Sequence, residues 1–262
     1  MSRSFGITVL GSSGTWASAE SGCSGYLIDH TVSEGTDGGR TTRVWVDCGP
    51  GSLSALQHHC EVADLDAVVV THEHPDHFNE LPVLRNAMVH GLGVERLPLY
   101  APRGVLALLE TLVGSRGITP SFTPKMVGDQ SVVRVGSLRL QFSRTDHPVE
   151  TVAVRAEPDD GSAPAIAYSS DTGPGWSVKA LGEGIGVAVV EATFLDSAVG
   201  ESNAVHRTAA FTGADSAAAG IPQLVITHIP PTGDPEAHRA EAEASFGAPV
   251  HVARPHERYT PA

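Results

Sequence analysis

The run Val68-Val69-Val70-Thr71-His72-Glu73-His74-Pro75-Asp76-His77 places three histidines and an aspartate within six residues, directly behind an apolar β-branched stretch. β-Branched residues favour strands. Side chains two apart on extended backbone share a side, so His72 and His74 project together, while the turn after Pro75 swings Asp76 and His77 toward a neighbouring point. Imidazole and carboxylate donors suit zinc or another borderline divalent metal. The plain alternative is a solvated polar loop, which the H-x-H-x-D-H spacing behind a buried strand sets aside.

Three more strand ends follow the same pattern. Asp146-His147-Pro148 comes after the apolar run 138–142, Ser169-Ser170-Asp171-Thr172-Gly173 after 165–168, and Thr227-His228-Ile229-Pro230-Pro231 after 224–226. Each strand delivers one His or Asp to a turn, as expected of loops gathered at one edge of a sheet scaffold. Taken singly, His147 or His228 reads equally well as a core histidine bonded to backbone. Together, behind the first motif, they supply the further ligands that a two-metal site needs.

Other apolar periodicity gives strands at 5–10, 26–28, 44–46, 67–70, 132–135, 152–154 and 187–190, with helices near 52–59, 81–90, 104–113, 208–219 and 235–246. The stretch 31–42, rich in Gly and Thr, reads as an exposed hairpin loop. No linker-like segment interrupts the 262 residues, of which 41% are apolar, so a single α/β domain over 1–262 is expected, with two sheets and helices outside. A net charge of −13 argues against a protein held on nucleic acid or anionic membrane by its overall field. No apolar stretch approaches the roughly 20 residues of a membrane span, and the amino-terminal apolar run is too short for a signal-peptide core. Cys23, Cys48 and Cys60 form no C-x-x-C pair and read as reduced, so the cytoplasm is the expected location.

From Leu10-Gly11-Ser12 to Thr227-His228-Ile229-Pro230-Pro231 the chain resembles the metallo-β-lactamase superfamily, and within it the ribonuclease Z-like phosphodiesterases. The resemblance implies a four-layer αββα sandwich and two divalent metal ions, zinc first, with manganese or iron as alternatives. His72, His74 and His147 would hold one metal, Asp76, His77 and His228 the second, and Asp171 would bridge both. Two metals about 3.5–4 Å apart can share a hydroxide whose pKa is brought to roughly 7, and both polarise a phosphoryl oxygen. Asp76 would also orient that nucleophile. His206, twenty-two residues before His228, occupies the place where such enzymes carry the proton donor to the leaving oxygen; an alkoxide leaves poorly unprotonated. Read from the residues alone, His206 is also consistent with a polar residue beside a helix start capped by Thr208.

Differences between branches narrow the resemblance. Thiolate-type lactamases would place Arg at the position of His77 and supply a Cys ligand. Glyoxalase II-like thioesterases carry a helical domain after the last ligand, where 34 residues follow His228 here, and transfer-RNA-processing ribonuclease Z inserts a long arm where 23 residues separate His147 from Asp171. The segments Leu10-Gly11-Ser12-Ser13-Gly14, Ser24-Gly25-Tyr26-Leu27 and Tyr168-Ser169-Ser170-Asp171-Thr172-Gly173 are most similar to bacterial atypical class II-like cyclic-nucleotide phosphodiesterases. That implies a small phosphodiester substrate, cyclic AMP first, and a homodimer. The alternatives are an RNA 3′-processing endonuclease and an acyl or lactone hydrolase. Gly11 to Gly14 would offer N–H groups to a phosphate or form a tight turn beside the site. Asp47 and Cys48 would support a ligand histidine or be buried structural residues, and His58, His59 and His90 read as surface or packing residues.

Overall fold

The computed structural model describes residues 4–32, 39–114, 117–119, 121–198 and 205–261. One seven-stranded sheet runs β14-β1-β2-β3-β4-β5-β6. Its strands are β1 (Ser4–Gly11), β2 (Gly25–Val32), β3 (Arg40–Val46), β4 (Ala67–Val69), β5 (Leu97–Ala101), β6 (Phe122–Met126) and β14 (Arg258–Tyr259). The second runs β13-β12-β11-β10-β9-β8-β7. It comprises β7 (Val132–Val135), β8 (Leu138–Arg144), β9 (Val152–Pro158), β10 (Ala165–Tyr168), β11 (Ile185–Glu191), β12 (Leu224–Thr227) and β13 (His251–Val252).

Alternation within the strands sorts the core into three layers. Ile7, Ile28, Val44 and Val69 of the first sheet pack against Leu140, Val154, Ile166 and Val189 of the second. The intervening residues Leu27, Trp45, Val68 and Leu99 face outward beneath α1 (Ser52–Leu56), α3 (Glu80–Ala87) and α4 (Arg103–Val113). On the far side, Ala188, Val190, Leu224 and Ile226 meet Ala209 of α5 (Ala209–Ala218) and Ala242 and Phe246 of α6 (Pro235–Phe246). This is the expected αββα sandwich. Strands β3 to β6 are parallel, as are β10 to β13. Parallel neighbours require crossovers, which is where the helices fall, and both faces become covered.

The expected elements need some adjustment. Strands β2 and β3 run into the predicted 31–42 loop, with Thr31 opposite Thr41 and His30 opposite Thr42, because the β-branched threonines extend the pairing. Residues 33–38 of that loop lie outside the described residues. The helix expected over 52–59 ends at Leu56, and that over 81–90 passes at Met88–Leu92 into a wider π-type turn. Among the described residues no helix is long and apolar enough to cross a membrane.

Candidate metal centre

Every candidate ligand sits where a strand of the sandwich ends. After β4, the chain stays extended to His74, and Pro75 opens the short helix α2 (Pro75–Phe78) at its first position. Proline is pre-organised there. The helical turn buries Asp76 and His77 beside the extended His72. His147 follows β8, Asp171 follows β10 and His228 follows β12, so both sheets contribute donors to one edge.

The seven candidate ligands form two groups with one member in common, and a third group, Glu191, His206 and His228, adjoins the second through His228. His72, His74, His147 and Asp171 converge in one, and Asp76, His77, Asp171 and His228 in the other. Asp171 divides its oxygens between them. Oδ2 lies 3.5 Å from His72 Nε2 and 4.0 Å from His147 Nε2, while Oδ1 lies 3.2 Å from His77 Nε2 and 3.3 Å from His228 Nε2. His147 Nε2 and His74 Nδ1 face each other at 3.1 Å, and Asp76 Oδ2 stands 3.2 Å from His228 Nε2.

The outer hydrogen bonds fix which ring nitrogen points inward. His77 Nδ1–H donates to Asp47 Oδ2 at 2.7 Å, His147 Nδ1–H to the Val205 carbonyl at 3.1 Å, and His228 Nδ1–H to Thr193 Oγ1 at 3.0 Å. Each leaves Nε2 free for a cation. Asp47 is itself held by the Thr71 N–H (2.8 Å), the Thr71 hydroxyl (2.9 Å) and the Tyr168 hydroxyl (2.8 Å). It is therefore a support for a ligand. Cys48 touches the centre only through its backbone, whose N–H donates to the His77 carbonyl at 2.7 Å.

Four non-glycine residues here have left-handed backbones: Thr15, Asp47, Ser170 and His228, with φ of 65°, 60°, 54° and 61°. Such conformations each cost of order 1–3 kcal/mol, persist where the surroundings over-determine them, and cluster at functional sites.

Three of the buried side-chain atoms that lack a hydrogen-bond partner lie within this one cluster: His72 Nε2, His77 Nε2 and Asp171 Oδ1. An orphaned buried donor or acceptor costs about 1–3 kcal/mol. All three point into the space between the donors, where a divalent cation with nitrogen and oxygen ligands at about 2.0–2.2 Å satisfies them together. The donor set thus fits metal. Burial and the neighbouring His77 push the His72 imidazole down to about 4, and burial also lowers His147. Burial opposes ionisation of Asp76 and Asp171, but the histidines around them outweigh it and hold both carboxyls well below the usual range. His77 moves the other way: Asp171 and Asp47 overcome burial and raise it.

His206 stands beside the ligand groups, its ring stacked on His228 at 5.2 Å between centroids. Its Nδ1 lies 3.1 and 3.2 Å from the two oxygens of Glu191, at the end of β11. Burial disfavours the imidazolium, yet the Glu191 carboxylate prevails and raises His206 to about 9. Glu191 also accepts from the Thr172 N–H at 2.5 Å, the Thr193 hydroxyl at 2.6 Å and the Arg207 N–H at 3.2 Å. With its oxygens so occupied, Glu191 anchors His206. Sequence reasoning missed Glu191 and Thr193, although an acid closing the apolar run Val187-Ala188-Val189-Val190-Glu191 has the same strand-end signature as the ligands. Thr208 does cap α5, accepting from the Phe211 N–H at 3.2 Å.

The Gly11 to Gly14 segment is not the tight turn considered from sequence: Gly11 closes β1 and Ser13 bridges to Cys23 and Ile229 beside the site. The N–H groups of Ser12 and Ser13 donate to the Gly22 carbonyl and that of Gly14 to the Ile229 carbonyl, which leaves no cradle for phosphate. A Cβ on Gly14 would lie 2.5 Å from the His228 carbonyl oxygen. The next residue, Thr15, donates its N–H to Asp76 Oδ2 at 2.8 Å. His58, His59 and His90 belong to neither ligand group.

A two-sheet sandwich with two such donor groups sharing one aspartate defines a metal-dependent hydrolase. The chain belongs to the β-lactamase superfamily, whose domain matches residues 42–229. It is 31% identical over 254 residues to the protein Rv1339 of Mycobacterium tuberculosis, covering 94% of this chain and 88% of that one. The crystal structure of the metallo-β-lactamase fold protein YhfI from Bacillus subtilis superposes with a TM-score of 0.82 at 25% identity, covering 98% of this chain and all of the other. A ribonuclease Z of Methanopyrus kandleri is 28% identical over 300 residues, with 97% of each chain covered.

Proposed function

We propose that the protein is a dinuclear phosphodiesterase of small phosphodiesters, with 3′,5′-cyclic nucleotides such as cyclic AMP as first candidates and zinc as the first candidate metal. The observation that carries this reading is the division of Asp171, one oxygen toward each donor group, with a histidine–carboxylate pair standing outside both. When bound, two such ions act as Lewis acids on a phosphoryl oxygen and bring water toward a pKa of about 7. The protein's own residues do the rest. Asp76, fixed by the Thr15 N–H, accepts a hydrogen bond from the attacking water and orients it. His206, fixed at Nδ1 by Glu191, keeps Nε2 for proton donation to the departing alkoxide.

The ribonuclease Z relative supports a second reading, RNA 3′-end cleavage. A long RNA substrate needs phosphate contacts along a basic surface, and the net charge of −13 opposes it. Turnover by the metal-loaded protein of cyclic AMP, cyclic GMP, 2′,3′-cyclic nucleotides, bis(p-nitrophenyl) phosphate, a 3′-extended transfer RNA and a thioester separates the readings. Hydrolysis of a cyclic nucleotide with the RNA left intact is expected. Turnover of the thioester with no phosphodiester cleaved would overturn the phosphodiesterase reading.

A further inference from the structure

Arg207 follows His206 in sequence, and its side chain has no solvent exposure. A guanidinium beside a proton donor suits bidentate capture of a phosphate, but this one is committed within the protein. Nε–H donates to the Gly173 carbonyl at 3.3 Å, Nη1–H to Asp215 Oδ2 at 3.0 Å and Nη2–H to the Trp176 carbonyl. The guanidinium carbon lies 5.3 Å from the centre of the Trp176 ring and 5.0 Å from that of Phe211, within reach of cation–π attraction. The backbone is fixed as well: the Arg207 N–H donates to Glu191 Oε2 at 3.2 Å, and the Arg207 carbonyl accepts from the Phe194 N–H at 3.0 Å.

A buried charge is costly unless it is paired and hydrogen-bonded. Asp215 supplies the countercharge from α5, and it also accepts from the Ser177 hydroxyl at 2.5 Å and the Val178 N–H at 3.0 Å. One side chain therefore gathers several parts of the reactive edge. Gly173 and Trp176 belong to the turn that follows Asp171, and that turn is bonded to the segment carrying His147, where the Gly175 N–H donates to Asp146 Oδ2 at 2.8 Å. Phe211 and Asp215 lie on α5, which begins two residues after Arg207. Glu191, which holds the His206 ring, also receives the Arg207 N–H. The ring is held by Glu191, and the backbone that carries it is held by Arg207.

We propose that Arg207 is the positioning residue of the proton donor: its buried side chain locks the backbone of His206 between the turn after Asp171 and α5, and so keeps the His206 ring on Glu191 beside the metal ligands. The kinetic consequence rests on the phosphodiesterase reading above, while the structural one does not. Fully enclosed, the guanidinium has no route to substrate, so its loss should act on the chemical step and not on substrate binding.

Arg207→Lys keeps a cation for Asp215 but loses the planar fork, and Arg207→Met keeps only the apolar stem; the lysine variant carries the test where the methionine one fails to fold. Both are compared with the parent as metal-loaded protein, and both should keep the parent's metal content by elemental analysis. KM should stay within about twofold, while kcat falls roughly 10–100-fold on a substrate with an alkoxide leaving group, the scale expected when a reacting group is slightly misplaced. On bis(p-nitrophenyl) phosphate, whose leaving group needs little protonation, the loss should be under about threefold. In a His206→Ala background neither substitution should slow the alkoxide substrate further, because the two residues act through one another. A second readout needs no substrate: the Nδ1 proton of His206, followed by NMR in the zinc-loaded protein, should exchange slowly in the parent and faster in both variants. Equal losses on both substrates, a further loss in the His206→Ala background, or an Nδ1 proton equally protected in parent and variants overturns the proposal. A parent that cleaves no phosphodiester contradicts the phosphodiesterase reading instead, and proton exchange then decides the role of Arg207 by itself.

Discussion

The two donor groups of the candidate metal centre share Asp171 but are built differently. In the half made by Asp76, His77 and His228, all three side chains are buried, and each is gripped from outside: Asp76 by the Thr15 N–H, His77 by Asp47, His228 by Thr193. Three of the residues involved, Thr15, Asp47 and His228, have strained backbones. In the other half His72 is as deeply buried, beside the Thr71 hydroxyl, but His74 is partly exposed and the Nδ1 of the buried His147 rests on a backbone carbonyl, that of Val205. The contrast teaches that one position is pre-organised by the core while the other opens toward solvent, so the buried position should hold its metal longer.

The largest effect is expected where the halves join. Asp171→Ala removes a ligand from both and should lower turnover by about 10³-fold or more, several kcal/mol at 1.4 kcal/mol per tenfold; an activity within tenfold of the parent would break the shared-ligand account. Next is His206, which stacks on the buried half without belonging to it. His206→Ala should retain both metals yet lose roughly 10²–10⁴-fold on substrates with alkoxide leaving groups, and little on bis(p-nitrophenyl) phosphate. Equal losses on both would show that His206 positions substrate or supports the fold.

Asp47→Asn weakens the grip on His77 and should loosen the buried position about 10–100-fold in a chelator competition, with a smaller effect on the open position, which Asp47 reaches only through Thr71. A smaller effect concerns pH in the metal-free chain. Because His206 is raised from about 6.5 to about 9 in the folded state, its pairing with Glu191 stabilises the fold fully below pH 6.5 and fades as pH rises through 9. Set against His206→Gln in urea unfolding, this advantage should reach at most about 3 kcal/mol near pH 6 and vanish near pH 10. A difference independent of pH would remove the charged pair from the account.

Both halves were legible in their donors and illegible in what holds those donors. His72, His74, Asp76, His77, His147, Asp171 and His228 were all readable because each follows an apolar run, and strand ends on one edge converge. The features that make the halves unequal were not. Asp47 could equally be a buried structural residue until Thr71 and His77 from one segment and Tyr168 from another met on its carboxylate. Glu191 was hidden inside an apolar strand, where only tertiary packing brings its donors together. In the fold, β5 and β6 went unread because Pro98 and Pro124 interrupt their runs, and proline demotes a strand reading. The two-residue β13 and β14 are too short for any periodicity and exist through pairings such as Val225↔His251 and Ile7↔Tyr259.

The most direct test is metal content after timed dialysis against a chelator, measured for the parent and for His147→Ala by elemental analysis. Two ions per chain are expected in the parent before dialysis, with one leaving well ahead of the other. His147→Ala, which disturbs the open half alone, should begin near one ion and release it at the parent's slower rate. Loss of both ions from the parent in a single phase, or a His147→Ala protein that retains two, would contradict the unequal dinuclear centre.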